Sequence, residues 1–422
     1  MRYWPIDSRW TVPAILAVAL AARIAAGVWW QERLPAGERF GFGDSLSYWM
    51  LAESISRGGP LEYGPGGPRV FRTPGYPLLL VPLFWIHSNP PVLWARLEGA
   101  LLGTVAVALV MALARSLFGL RVACAAGWLA ALYPGAVGTS IFVLSEAPYT
   151  PLLLAQLNCW MAAWRATDRR TLSIWSVLAG VMAGLATLMR PSHLLFTPFA
   201  LGVAMLTGQR RRNIVIGTLM SLSLAITMSP WWVRNYHVTG RFVATTLQLG
   251  ASLYDGLNPQ ATGASDMRFV RDFIDAQQQA DGARTAPPGL FEERLDRRMR
   301  DAALEWARRE PGQVVQLMVV KLLRMWSPIP NAAEFQSWLF RLGIFVTYTP
   351  VMAAALASAW RHVRYGWGYL LCVVPAAYLT LLHIVFVSSL RYREPAMMGL
   401  IVLAAGICHA GPLREEGSER LT

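Results

Sequence analysis

The chain has 422 residues, of which 55% are hydrophobic and only 15% charged, with a mean hydropathy of +0.37. Soluble domains carry about 25% charged residues, and several stretches here run ~20 residues with at most one charge, enough to cross a bilayer as a helix; this argues against a soluble enzyme, a disordered protein or a disulfide-stapled secreted domain. The formal net charge of +13 would suit nucleic acid, but the basic residues fall mostly in short breaks between apolar runs, as the positive-inside rule demands, so no nucleic-acid partner is expected.

In chain order, Arg2 and Arg9 precede an apolar run over residues 11–30 that only Arg23 interrupts. It is longer than the apolar core of a signal peptide, which predicts an uncleaved first span with a cytoplasmic N-terminus and with Trp29 and Trp30 at the outer interface. Residues 31–91 mix polar and apolar segments and read as an outer loop. Within it, residues 46–55 have helical spacing, and residues 75–87 are too short to span and read as an interfacial helix. Apolar runs then alternate with basic punctuation over residues 92–118, 122–140, 146–164, 172–189, 194–207 and 214–232. Each basic cluster falls on the side that the first helix predicts. Residues 235–311 are the most polar stretch, with charges of nearly balanced sign, and read as an outer amphipathic domain. Residues 313–326, with Arg324 and the chain's single lysine, Lys321, read as a second interfacial helix. Runs over 337–360, 367–389 and 397–409 lead to a polar tail. The expected fold is thus an all-α polytopic membrane protein of about ten transmembrane helices, with juxtamembrane helices in the first outer loop and a second large outer loop. Three regions follow: an N-terminal transmembrane module (1–234) containing the first outer loop (31–91), the second outer loop (235–330), and the C-terminal helices and tail (331–422). The four cysteines lie within or at the end of apolar segments, and the six histidines do not cluster, so neither a disulfide framework nor a metal site is expected.

A charge at membrane depth is a functional candidate because burying it is costly. Four places qualify: Asp44, Arg72, Glu146, and Arg391 with Arg393. On the topology above, all face outward at one depth. Plainer readings stand beside each. Asp44 equally suits a helix cap, and Glu146 suits a first-turn acid favoured by the helix dipole. Arg391 and Arg393 suit snorkelling, Arg190–Pro191 a helix stop, and the pairs Trp29–Trp30 and Trp231–Trp232 interface anchors.

At these residues the chain resembles the GT-C integral-membrane glycosyltransferases, in the branch of protein O-mannosyltransferases, the aminoarabinose transferase of lipid A and the rhizobial lipopolysaccharide-core transferases. Gly43-Asp44-Ser45-Leu46-Ser47-Tyr48 with Ala52 resembles the opening of that family's first outer loop. Arg72-Thr73-Pro74-Gly75-Tyr76-Pro77-Leu78 resembles its second juxtamembrane helix, and Ser145-Glu146 the acidic start of its fourth span. Leu188-Met189-Arg190-Pro191, Pro230-Trp231-Trp232-Val233-Arg234-Asn235-Tyr236 and Arg391-Tyr392-Arg393 are further family-like strings. One departure matters: the family often has two adjacent acids in the first loop, and here the second position is Ser45. The argument for a metal at that motif is weakened accordingly.

The resemblance implies an inverting glycosyl transfer on the outer or periplasmic face of the plasma membrane. The donor is a polyprenyl-phosphate sugar, and the acceptor is a hydroxyl of a lipid-linked glycan, a polysaccharide or a protein. Asp44 and Glu146 are the expected catalytic carboxylates; Tyr48, Arg72, Tyr76, Arg190, Arg391 and Arg393 are expected to bind substrate. No cofactor is expected, with a divalent cation left open. The rival class is a transporter or lipid flippase, which would predict inverted repeats and charges near the midplane; neither is visible.

Overall fold

A computed structural model describes residues 8–64, 67–283, 289–330 and 337–409. Leu, Ala, Val and Met dominate the long runs and turn them into helices, with Gly and Pro at the breaks. Among the described residues no strand occurs, and the α-helices are α1 (Ser8–Arg33), α2 (Gly43–Ser56), α3 (Gly75–Ile86), α4 (Val92–Phe118), α5 (Leu120–Leu132), α6 (Pro134–Ile141), α7 (Glu146–Arg165), α8 (Arg169–Met189), α9 (Phe196–Met205), α10 (Arg210–Thr239), α11 (Leu249–Gly256), α12 (Val270–Gly282), α13 (Phe291–Arg309), α14 (Pro311–Met325), α15 (Trp338–His362), α16 (Trp367–Val385) and α17 (Leu390–Ala405). The expected all-α membrane fold is present, with α2 and α3 in the first loop and α11–α14 in the second. The polar tail beyond His409 and the first seven residues lie outside the described residues.

Length and hydropathy alone single out fewer helices than the ten expected spans. Among the described residues, six helices are long and apolar enough to cross a membrane: the α1 and α15 segments, α4, α8, α10 and α16. The run read as one span over 122–140 is broken at Tyr133 into α5 and α6, bent by 57°, and counts as a seventh if the pair crosses together. The other three of the ten expected spans are α7, the short apolar segment Pro191–Met205 and α17. Their shortfall has a physical cause. α17 is buried along most of its length, from Arg393 to Ala404, and α7 is buried between α4 and α8. A helix wrapped by protein rather than lipid does not need a continuously apolar surface, so Gln156 and Asn158 in α7 and Glu394 in α17 are tolerated.

The core joins these helices through Val107, Leu113, Leu153 and Ile401, all fully buried, and through the tilted Trp160–Trp367 ring pair at 5.2 Å. Broken helices leave terminal carbonyls inside the bundle, where an unpaired polar group is expensive. Buried cations answer them. Arg23, the charge inside the first apolar run, donates to Ala131 O at 3.1 Å and Ala130 O at 3.2 Å, capping the end of α5. Arg96 donates to Ile141 O at 3.1 Å at the end of α6 and to Gln31 Oε1 at 2.9 Å. Lys321 donates to Gly256 O at 2.8 Å and Val385 O at 2.7 Å, tying the last turns of α11 and α16 together. Each also meets the negative end of a helix dipole.

Two ends of the bundle result. Arg212 donates to the carbonyls of Ala163 and Ala166, and Arg361 to Ile407 O; Arg115, Arg165, Arg169 and Arg211 belong to the same end. The starts of α2, α7 and α17 and the end of α8 meet at the other. We expect single cysteines replacing the exposed Arg57 and Arg211, in a protein otherwise free of cysteine, to react with a membrane-impermeant maleimide from opposite sides of a vesicle. Labelling of both from one side would overturn this topology.

Candidate active site

Asp44 lies in the first turn of α2, but it does not cap the helix: the cap position is Phe42, with no side-chain bond to the helix amides. Its carboxylate points instead at two arginines. Oδ1 accepts from Arg72 Nη2 at 2.8 Å and Oδ2 from Arg391 Nη2 at 3.0 Å. Arg391, in the first turn of α17, also reaches Glu146 Oε1 with Nε at 3.6 Å, and Arg190 Nη1 lies 2.8 Å from the same oxygen. The five groups form one chain of alternating charge: Arg72, Asp44, Arg391, Glu146, Arg190. Neither Arg391 nor Arg190 snorkels. Their side chains are 22% and 13% exposed, and each is paired with a carboxylate.

Local sequence explains how each side chain arrives. Pro191 cannot continue α8, so Arg190 leaves the helix in an extended conformation and swings toward the first turn of α7. Arg72 sits just before α3, and a Cβ on Gly75 would stand 2.6 Å from Leu188 O. Only a glycine lets the first loop lie against the end of α8. Both outer loops fix Arg72: Gln248 Oε1 of the second accepts from its Nη1 at 3.2 Å, and Ser47 Oγ on α2 from its Nε at 3.1 Å. Aromatic faces carry the cations. Arg72 lies 5.0 Å from the Tyr48 centroid, and Tyr392 lies 4.9 Å from Arg391 and 5.4 Å from Arg190. Burial alone would raise the Asp44 carboxyl; the Arg72 and Arg391 guanidinium groups outweigh it and hold the group down to about 2.

The chain of charges forms one wall of a cavity of about 420 Å³. Leu194, Leu195, Leu382 and Phe386 add an apolar stretch to its lining, with Leu195 62% exposed. Of the residues singled out in the sequence, Asp44, Tyr48, Arg72, Glu146, Arg190 and Arg391 line the cavity. Tyr76 and Arg393 do not. Tyr76 is buried behind Tyr48, edge-on at 5.1 Å. Arg393, one residue past Tyr392 on α17, is turned away by the helix pitch and donates to Met325 O and Ser327 O at 3.1 and 2.6 Å, capping α14. The Trp231–Trp232 pair is also more than an interface anchor: both indoles donate to backbone of the second loop, at Thr245 O (2.7 Å) and Ala244 O (2.8 Å). Sequence reasoning missed Gln248, Asp255, His383 and Tyr392, all on the cavity. Tyr392 sat inside a string already noticed; the other three carry no local signal. Among the described residues no group of three or more His, Cys, Asp or Glu is placed to hold a metal ion, and both Asp44 oxygens already accept from guanidinium groups.

Comparison with known proteins adds a partial family match and a fold. The family model for dolichyl-phosphate-mannose-protein mannosyltransferase matches residues 73–233, a stretch that includes Glu146 and Arg190. No curated protein matches the chain. Among solved structures, the archaeal oligosaccharyltransferase AglB from Archaeoglobus fulgidus, in complex with an inhibitory peptide and a dolichol-phosphate, superposes with a TM-score of 0.60 at 16% identity, over 95% of this chain and 50% of that one. The same enzyme's apo form gives 0.61 at 16% identity, again over 95% and 50%. ArnT from Cupriavidus metallidurans bound to undecaprenyl phosphate gives 0.48 at 16% identity, over 95% and 78%. The present chain thus spans about half the length of the oligosaccharyltransferase whose fold it shares.

The two carboxylates differ in burial, and their removal should differ in consequence. Glu146 is 4% exposed and Asp44 39%. Breaking a buried ion pair from one side costs about 3–5 kcal/mol because the partner charge stays behind. We expect Glu146→Gln to lower the melting temperature in detergent more than Asp44→Asn does. Equal shifts would contradict the arrangement.

Proposed function

We propose that the chain is a GT-C integral-membrane glycosyltransferase, a reading supported by the partial family match and the shared fold, and that it moves a monosaccharide from a polyprenyl-phosphate donor to a hydroxyl of a lipid-linked glycan, polysaccharide or protein, with inversion, on the outer or periplasmic face of the plasma membrane. The observation that carries this reading is the alternating chain Arg72–Asp44–Arg391–Glu146–Arg190 along a cavity whose lining also includes an apolar stretch. Three guanidinium groups against two carboxylates leave a net charge of +1 (3 − 2). That balances one phosphodiester. The apolar stretch suits a polyprenyl tail, and the arginine clusters at the far end of the bundle support a cytoplasmic placement of that end.

The chemistry follows from what the groups can exchange. As the bond between the anomeric carbon and the phosphate oxygen breaks, the departing lipid phosphate gains a second charge. Arg72 and Arg391 meet it with forked hydrogen bonds. In doing so they turn partly from Asp44. A carboxylate held at about 2 is a poor proton acceptor, but one relieved of its cations recovers basicity as the attacking hydroxyl sheds its proton. Asp44 thus aligns the hydroxyl and takes its proton in concert with attack from the face opposite the phosphate. Glu146 keeps Arg190 and Arg391 at fixed spacing. The leaving-group charge is met by guanidinium groups rather than by a divalent ion.

The direct test offers the purified protein a panel of undecaprenyl-phosphate sugars and reads release of undecaprenyl phosphate together with glycosylated product. Transfer from at least one donor, unaffected by a chelator, is the expected result; no transfer from any donor would sink the reading. With the active donor in hand, Asp44→Asn should cut turnover by about 10²–10⁴-fold. Arg→Lys at Arg72 and Arg391 should cost on the order of 10²-fold, because ammonium cannot reproduce the planar fork. Lysine variants with unchanged donor affinity and turnover would remove the phosphate clamp from the mechanism.

A further inference from the structure

His383 closes the cavity from the last turn of α16, and nothing in the mechanism above uses it. Its ring stacks on Tyr392 at 4.2 Å and 7° between planes, so it shares the aromatic floor that supports Arg391 and Arg190. Nδ1 lies 2.8 Å from Val387 O. A carbonyl only accepts, so Nδ1 carries the proton, and in the neutral ring Nε2 is left with an in-plane lone pair. The side chain is only 6% exposed, and among the described residues Nε2 has no hydrogen-bond partner. Burying an acceptor unpaired costs about 1–3 kcal/mol, which calls for a compensating partner.

The other strong acceptors of this wall are engaged. Asp44 accepts from two arginines, Glu146 pairs with two, and Asp255 accepts from Ser265 Oγ at 2.6 Å and from Asp266 N at 2.7 Å. Each carboxylate lining the cavity already has a protein donor, whereas among the described residues His383 Nε2 has none. A phosphate brings no donor to such a site once ionised; a sugar brings several. We propose that His383 Nε2 accepts a hydrogen bond from a substrate hydroxyl, and that it thereby reads the sugar or the attacking acceptor rather than the lipid phosphate. The inference rests on the glycosyl-transfer reading.

Two substitutions separate this role from a structural one. The amide nitrogen of asparagine takes the place of Nδ1 and keeps the bond to Val387 O; the amide oxygen of glutamine takes the place of Nε2 and keeps an acceptor there. His383→Asn should bind undecaprenyl phosphate within about twofold of wild type, yet lose about 10- to 100-fold in transfer, and His383→Gln should regain part of it. If the hydroxyl belongs to the transferred sugar, His383→Asn also binds the undecaprenyl-phosphate sugar more weakly. If it belongs to the attacking acceptor, donor affinity holds and kcat falls. The proposal is overturned if His383→Asn transfers like wild type while His383→Gln does not, or if undecaprenyl phosphate binding falls with transfer in both. A wild-type protein that transfers from no donor overturns the glycosyl-transfer reading, and this inference with it, whereas an active wild type matched by His383→Asn overturns this inference alone.

Discussion

Two carboxylates and three guanidinium groups meet where four parts of the chain end, and most of the bundle's geometry follows from keeping them matched. Asp44 comes from α2, Glu146 from α7, Arg190 from the end of α8 and Arg391 from α17, with Arg72 reaching in from the first loop. Such a chain is a poor device for stability: desolvating the ions offsets most of their attraction, and well-packed apolar groups would serve as well. What it does provide is fixed cations around a space large enough for a substrate. Electrostatic stabilisation of a growing charge works when the dipoles and charges need not reorganise. The carboxylates keep the guanidinium groups in place while the site is empty.

The rest of the bundle solves a related problem at the helix ends. A site made from helix termini requires helices that stop inside the protein, and each stop strands carbonyls in a medium without water. Arg23 caps α5, Arg96 caps α6, Arg393 caps α14, and Lys321 caps α11 and α16 together. Each of these cations is at most 1% exposed. They make no contribution to the cavity's charge, yet they permit the bends that create it. Arg391 and Arg393 illustrate the division: two residues apart on one helix, one faces the cavity and the other closes a helix end.

That division marks the limit of what the sequence made legible. The long apolar runs and their basic punctuation placed nearly every helix, because hydropathy and charge are local properties. The gathering of Asp44, Arg72, Glu146 and Arg391 at one depth was also readable, since alternating spans bring every second boundary to the same side. The break at Tyr133 was legible only in part: Pro134 cannot continue α5, but the capping of Ala130 and Ala131 by Arg23, more than a hundred positions away, which lets the helix end inside the bundle, could not be read. α7 and α17 were placed by their apolar runs, but their burial inside the bundle, a property of their neighbours, was not legible. Arg391 and Arg393 looked equivalent because a string of residues carries no helix phase until its packing is known. Gln248, Asp255 and His383 stayed hidden for lack of any pattern; they matter through whom they face.

The second loop shows why the site needs both outer segments. Glu292 Oε2 accepts from the backbone amides of Arg69 and Val70 at 2.9 and 3.2 Å, and Arg234 donates to Arg69 O and Leu61 O at 2.8 and 3.0 Å. These bonds hold the segment that carries Arg72, and Gln248 then grips the side chain itself. An anion entering the cavity finds no free cation in the alternating chain. It must displace Asp44 from Arg72 and Arg391, so binding exchanges one anionic partner for another. Such an exchange yields only the difference between two similar interactions, which keeps affinity for a phosphate modest however many arginines surround it. For an enzyme that must let its charged product go, a cation already engaged is better suited than a bare one, and the carboxylate that makes the exchange necessary is the group that stands free once it has happened.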